Sequence, residues 1–138
     1  MEIIYGYTQD GFRLPGALYK ANKKDVCVLF IHGMAGNLIN TYFANIWANI
    51  FVKNGISFLF GHTRGSSHVH DLLTKSGTYE RYGVIYEKFD DSIYDIDLWI
   101  KEIEKLGYDN IFLIGHSLGC NKVINYLAQK NIIFGDLY

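Results

Sequence analysis

The stretch Ile111-Phe112-Leu113-Ile114-Gly115-His116-Ser117-Leu118-Gly119 decides how this 138-residue chain is read. Its opening apolar run suits a strand buried on both faces of a parallel sheet. The period then changes. Val123, Ile124, Leu127 and Ala128 recur at helical spacing, so Leu118 to Lys130 reads as a helix. Between strand and helix lies a Gly-x-Ser-x-Gly pattern. So short a passage demands a sharp turn, and residues without Cβ at 115 and 119 let strand and helix backbones approach. Ser117 is left at a helix N-terminus, where the dipole favours developing negative charge. Read for chemistry, Ser117 is a candidate nucleophile, with Gly115, His116 and Gly119 shaping its turn. Read without chemistry, this is a glycine-rich connection between strand and helix.

Working outward, Val26 to Ile31 and Ile56 to Phe60 read as two more buried strands. Residues 38–54 read as a helix with Ile39, Tyr42, Phe43, Ile46, Trp47, Ile50 and Phe51 on its core face, stopped at Asn54-Gly55. Phe89 to Leu106 reads as another. Its stripe is Phe89, Ile93, Ile96, Ile100 and Ile103, with Asp91, Asp95, Glu102 and Lys105 off it. Near the N-terminus, Ile3 to Thr8 and Phe12 to Lys20 form a hairpin around Asp10-Gly11. Pro15 suits an edge strand, having no N–H to give. Residues 61 to about 87 read as a long, irregular, polar loop, and such loops inside a domain are commonly functional. Ile132-Ile133-Phe134 begins a further strand. Strands alternating with helices imply a mostly parallel sheet covered on both faces, with right-handed crossovers.

Composition narrows the classes. Hydrophobic residues make up 49% and charged residues 20%, with thirteen basic against fourteen acidic side chains. That supports a real core and argues against disorder. There is no basic stripe, so no nucleic-acid partner is expected. No apolar run approaches a membrane span, and Met1 to Gly6 lacks the features of a secretory signal. Cys27 and Cys120 have no metal-ligand spacing. Cys27 reads as packing, and Cys120 stands near Ser117 on the following helix. A cytoplasmic location, with no metal and no cofactor, is the expectation.

Two further loops complete the pattern. His32-Gly33-Met34-Ala35-Gly36-Asn37 follows the strand ending at Ile31, and His62-Thr63-Arg64-Gly65-Ser66-Ser67 follows the next. Together with the serine turn, and with Tyr86-Glu87-Lys88-Phe89-Asp90-Asp91 upstream of it, residues 25 to 130 resemble the α/β-hydrolase superfamily. The resemblance implies a truncated α/β-hydrolase fold, a mostly parallel sheet with an N-terminal hairpin and helices on both faces. Its strand order is 1-2-4-3-5, with any sixth strand beside the fifth. It also implies a serine hydrolase, esterase- or lipase-like, acting on a small-molecule ester, thioester or amide. Ser117 is the implied nucleophile. Backbone N–H groups of Met34 and Leu118 would form the oxyanion hole, with His32 and Gly33 shaping their loop and Arg64 holding a structural turn.

In that superfamily the acid and the histidine follow the serine. Here Asp136 is the one acid after Ser117, it comes too soon, and no histidine follows. Residues 1–138 therefore read as a single incomplete domain. The missing base and acid are expected from a complementing C-terminal chain, with His62, His68 and His70 as candidate substitute bases. The uncovered fifth strand predicts a homodimer or a complementing partner. The competing reading is a catalytically inactive binding or interaction module, or a truncated gene product.

Overall fold

Three apolar runs build the parallel heart of a five-stranded sheet. The strands are β1 (Glu2–Tyr7), β2 (Arg13–Tyr19), β3 (Val26–Ile31), β4 (Ser57–Gly61) and β7 (Asn110–Gly115), in the order β1-β2-β4-β3-β7. The computed structural model describes residues 1–23 and 25–130. β3 pairs in parallel with β4 on one side and β7 on the other, so Val28 stands beside both Phe58 and Phe112. β1 and β2 form an antiparallel hairpin, and β2 pairs antiparallel with β4. Counting β7 as the fifth strand of the sheet, the order expected from the sequence holds.

Alternation along each strand makes both faces apolar. Val28, Phe30, Phe58 and Phe60 meet α1 (Tyr42–Lys53) through Ala44 and Ala48. Leu29, Ile31 and Leu59 face α2 (Ser92–Lys105) and α3 (Leu118–Gln129), with Ile96, Trp99 and Ile103 sealing that side. The indole of Trp99 is fully buried and donates from Nε1 to the His62 carbonyl at 2.8 Å.

The structure departs from the sequence reading in several places. The loop expected over 61–87 contains a small antiparallel hairpin, β5 (His70–Leu73) with β6 (Tyr79–Tyr82). β6 is largely exposed, β5 is half-buried with Leu72 in the core, and neither carries an apolar alternation to announce it. The hairpin is held by a Thr74 turn, where Thr74 N–H donates to Thr78 O at 2.8 Å, and by an edge contact of Tyr82 on Phe12. α1 starts at Tyr42 rather than near residue 38. Asn37 Oδ1 accepts from the N–H groups of Ile39 and Asn40, and Asn40 Oδ1 from Asn37 N–H, which locks a turn there instead.

Helix faces were also misassigned. The small residues Ala44 and Ala48 lie nearest the sheet, so Tyr42, Ile46 and Ile50 are more than half exposed and Ile39 is 90% exposed. The segment expected as one helix from Phe89 divides into a short 3-10 turn, Phe89–Asp91, and α2. Asp95, assigned to the polar side, is fully buried. On α3, Lys122 and Tyr126 are buried, while Ile124 and Ala128 are exposed.

Two strand assignments change. Pro15 lies in β2, an interior strand, not at an edge. Pairing of β2 with β4 stops at Gly16 opposite Gly61, so its missing N–H falls beyond the ladder. For β7 the apolar run predicts burial on both faces. Among the described residues it pairs only with β3, and Phe112 remains 54% exposed. The strand expected at Ile132 to Phe134, and Asp136, lie outside the described residues.

Candidate active site

Ser117 joins β7 to α3 with φ 54° and ψ −124°. Non-glycine residues rarely adopt that backbone, which costs roughly 1–3 kcal/mol and needs surrounding structure to hold it. The restraints are local. His116 N–H donates to Ile31 O at 3.0 Å, Gly119 N–H to His116 O at 2.9 Å, and Cys120 N–H to Ser117 O at 2.9 Å. Gly119 lies flat against the end of β3, where an added Cβ would strike the Ile31 and His32 carbonyls. Gly33 does the same from the other side. A Cβ there would stand 2.8 Å from Ser117 Cβ and 2.9 Å from His116 O. Absent side chains thus let the two loops touch.

The loop after β3 is fixed by His32, which is fully buried. Its Nε2 faces the Thr63 backbone N–H at 3.0 Å, which can only donate. Its Nδ1 faces Gly33 O at 2.8 Å, which can only accept. The ring therefore carries its proton on Nδ1 and none on Nε2. Burial pushes its pKa down to about 3, so the ring is neutral. Both nitrogens are engaged, so His32 is no base for Ser117. Gly36 N–H also donates to Gly33 O, at 3.1 Å, and Ala35 turns the loop with φ 52°.

Beside Ser117 opens a cavity of about 410 Å³ lined by Gly33, Met34, Asn40, Phe43 and His116. The His116 ring rests on Phe43 with centroids 4.8 Å apart. Among the described residues, the Ser117 hydroxyl has no hydrogen-bond partner. His62 and His70 line a different cavity, of about 320 Å³, with Tyr5, Arg13 and Asn37. His62 Nε2 accepts from Leu38 N–H at 3.1 Å, and burial pushes its pKa down to about 4. Burial also lowers the pKa of His70. His68 is exposed on the segment before β5. Ser117, Met34, His32, Gly33, Gly115, His116, Leu118 and Gly119 thus gather where the loops after β3 and β7 meet, and among the described residues Ser117 makes no hydrogen bond to His62, His68 or His70.

Arg64 plays the structural part expected of it. It is fully buried, with Nη2 2.9 Å from Asp95 Oδ1 and Nη1 2.7 Å from Asp10 Oδ2. Burial works against its charge, but the hydrogen bonds it donates to Asp10 and the charge of Asp95 outweigh it and push the guanidinium pKa up. Sequence reasoning missed a second buried pair. Lys122 Nζ lies 2.7 Å from Glu87 Oε2, with the lysine side chain fully buried and the glutamate 6% exposed. Nothing in the spacing of α3 marked this lysine as internal.

Both cysteines are free. Cys27 is buried, and desolvation pushes its thiol pKa up to about 12. Cys120 is exposed, its Sγ 3.0 Å from Gly115 O. Among the described residues no group of three His, Cys, Asp or Glu side chains is arranged to hold a metal, and no helix is long and apolar enough to cross a membrane.

This strand order and serine turn define an α/β-hydrolase architecture, and the comparisons agree. The family model for the alpha/beta hydrolase fold matches residues 26–134, and the chain belongs to that family. A protein of Acanthamoeba polyphaga mimivirus, the uncharacterized protein R595, is 27% identical over 144 residues, covering 98% of this chain and 42% of the relative. Est1E from Butyrivibrio proteoclasticus, solved with ferulic acid bound, superposes with a TM-score of 0.70 at 18% identity, over 93% of this chain and 48% of that one. The esterase Pf2001 of Pyrococcus furiosus gives 0.69 at 20% identity, over 93% and 47%. At such identities the structural likeness is one of fold. The chain spans less than half the length of each of these proteins.

Proposed function

We propose that this chain carries the nucleophile half of a serine hydrolase acting on a small-molecule ester, thioester or amide. The observation that carries the reading is Ser117 itself. A non-glycine residue is held in a rare backbone conformation at a helix N-terminus, against Gly33 of the loop that follows β3, beside an open cavity. In this reading Ser117 Oγ attacks the substrate carbonyl carbon as its proton passes to a base. The carbonyl oxygen becomes an oxyanion, held by the N–H groups of Met34 and Leu118. The alcohol, thiol or amine leaves with a proton, and water then releases the acid from the acyl-serine. The base and its orienting acid come to Ser117 from outside residues 1–130.

A fluorophosphonate probe tests the assignment. The expected result is slow labelling that disappears in Ser117→Ala and accelerates when imidazole is added as a diffusible base, since general-base assistance is worth about 10²–10⁴-fold. Label that persists in Ser117→Ala sinks the assignment. A second reading is a binding module without catalysis. It draws support from the lack of any hydrogen-bond partner for the serine hydroxyl among the described residues, and it predicts no Ser117 label under any of these conditions. Association is a separate proposal: a second copy of the chain pairs along the side of β7 that no described strand covers, beside the exposed Trp47, Ile50 and Phe112.

A further inference from the structure

A buried lysine on the serine helix is connected, bond by bond, to the peptide that would hold the oxyanion. Lys122 lies on α3 one turn beyond the serine. Its Nζ lies 2.7 Å from Glu87 Oε2 and donates to Thr63 Oγ1 at 3.2 Å. Thr63 Oγ1 lies 3.2 Å from His32 Nε2. That nitrogen bears no proton, so between the two groups only the threonine hydroxyl can donate; its hydrogen shares the one lone pair that the Thr63 N–H also meets, while its oxygen accepts from the ammonium. His32 Nδ1–H then donates to Gly33 O at 2.8 Å. All three bonds run one way, from a full positive charge to one carbonyl oxygen.

Gly33 O and Met34 N–H belong to the same peptide unit. In a planar trans peptide the two point in opposite directions. Fixing the carbonyl against His32 therefore fixes the direction of the Met34 N–H. Hydrogen bonds in a chain also polarise one another, by about 10–30% per bond. A carbonyl that accepts more strongly makes its partner N–H a stronger donor.

Stability alone is a poor reason for this arrangement. Buried ion pairs often contribute no more than well-packed apolar residues of similar volume, and Lys122 and Glu87 are both removed from water. We propose that Lys122, anchored by Glu87, is a positioning residue: through Thr63 and His32 it orients and polarises the Gly33–Met34 peptide. The part assigned to Met34 rests on the serine-hydrolase reading above, whereas the coupling from Lys122 to Met34 does not.

The experiment uses two disrupting variants of the chain and one conservative replacement, with fluorophosphonate as the chemical probe. Thr63→Val removes the hydroxyl link while keeping the backbone N–H on His32. The double variant Lys122→Met with Glu87→Gln removes the charge without stranding a carboxylate. In both, the Met34 amide proton should move upfield and the His32 ring nitrogen shifts should change, with the far-UV circular dichroism of the parent chain retained. Lys122→Arg should restore most of the effect. Losing an oxyanion donor outright costs about 10²–10³-fold, so a misdirected one is expected to slow Ser117 labelling by about 10-fold. Either variant, folded and with parent-like Met34 and His32 shifts, overturns the proposal, and so does a changed Met34 shift with an unchanged labelling rate. If the double variant does not fold, Thr63→Val decides. If the parent chain takes no label at Ser117, the hydrolase reading fails, and the amide and ring shifts still decide the coupling.

Discussion

Arg64, in the loop after the central strand β4, and Phe112, on β7, contrast a closed region of the molecule with an open one. Around Arg64, between β4 and α2, a guanidinium is withdrawn from water and met by Asp95 from α2 and Asp10 from the first hairpin, with Asp91 at 3.4 Å. Along β7, Phe112 is 54% exposed, and across the α1 face Tyr42, Ile46, Trp47 and Ile50 are exposed as well. The difference follows from neighbours. β4 has a strand on each side and helices over both faces, so a charge there meets partners fixed from three directions. β7 has a described partner on one side only, and its outer flank shows apolar surface.

The largest effect should come from the closed region. Arg64→Leu leaves Asp95 buried without its partner and should cost about 3–5 kcal/mol, read as a fall in urea midpoint at unchanged slope. Adding Asp95→Leu should recover much of that loss. A loss under about 1 kcal/mol in the single variant would mean that the closed region is no more demanding than a surface pair.

Acid should act on the same region. His32 and His62 have native pKa values near 3 and 4 against 6.5 when unperturbed, chiefly through burial. Below pH 6.5 the unfolded chain binds protons that the native rings refuse. Stability from these groups is therefore complete above pH 6.5 and falls as the pH drops toward 4 and then 3, by up to about 1.4 kcal/mol per pH unit for each ring. Urea midpoints measured from pH 7 to 4 should show this slope, and His32→Gln should flatten it. A flat profile in the parent chain would contradict the burial of these rings.

Substitution at the open flank should do little to stability and much to association. Phe112→Thr with Ile50→Gln, both more than half exposed, should change unfolding free energy by less than about 1 kcal/mol, as expected near a surface. Light scattering at high concentration should then show less self-association than the parent chain. A parent chain that is monodisperse and monomeric at every concentration would end the pairing proposal for β7. The smallest effect belongs to the exposed Lys105–Glu102 pair at 2.7 Å. Lys105→Ala should shift stability by no more than about 0.2–1 kcal/mol, which sets the baseline for the other variants.

Much of this was legible in the chain because the signals are local. Apolar runs at Val26 to Ile31, Ile56 to Phe60 and Ile111 to Ile114 mark three strands, and the Asp10-Gly11 hairpin and the serine turn each announce themselves within a few residues. What stayed hidden depends on partners far along the chain. Asp95 reads as a polar residue off the helix stripe until Arg64, from the end of β4, is seen to reach it. The β5–β6 hairpin has no alternation of its own and rests on Phe12 and the Thr74 turn.

The sequence by itself determined the succession of main-sheet strands and helices, the parallel core and the Ser117 turn, because strand hydrophobicity, helical period and glycine spacing are properties of neighbouring residues. Tertiary structure alone decided which sides of α1 and α3 meet the sheet, that Lys122 lies inside, and which nitrogen of His32 carries the proton. Those outcomes depend on Ala44, Glu87, Thr63 and Gly33 arriving from separate segments, and a buried charge or ring is settled only by the partners that replace its water.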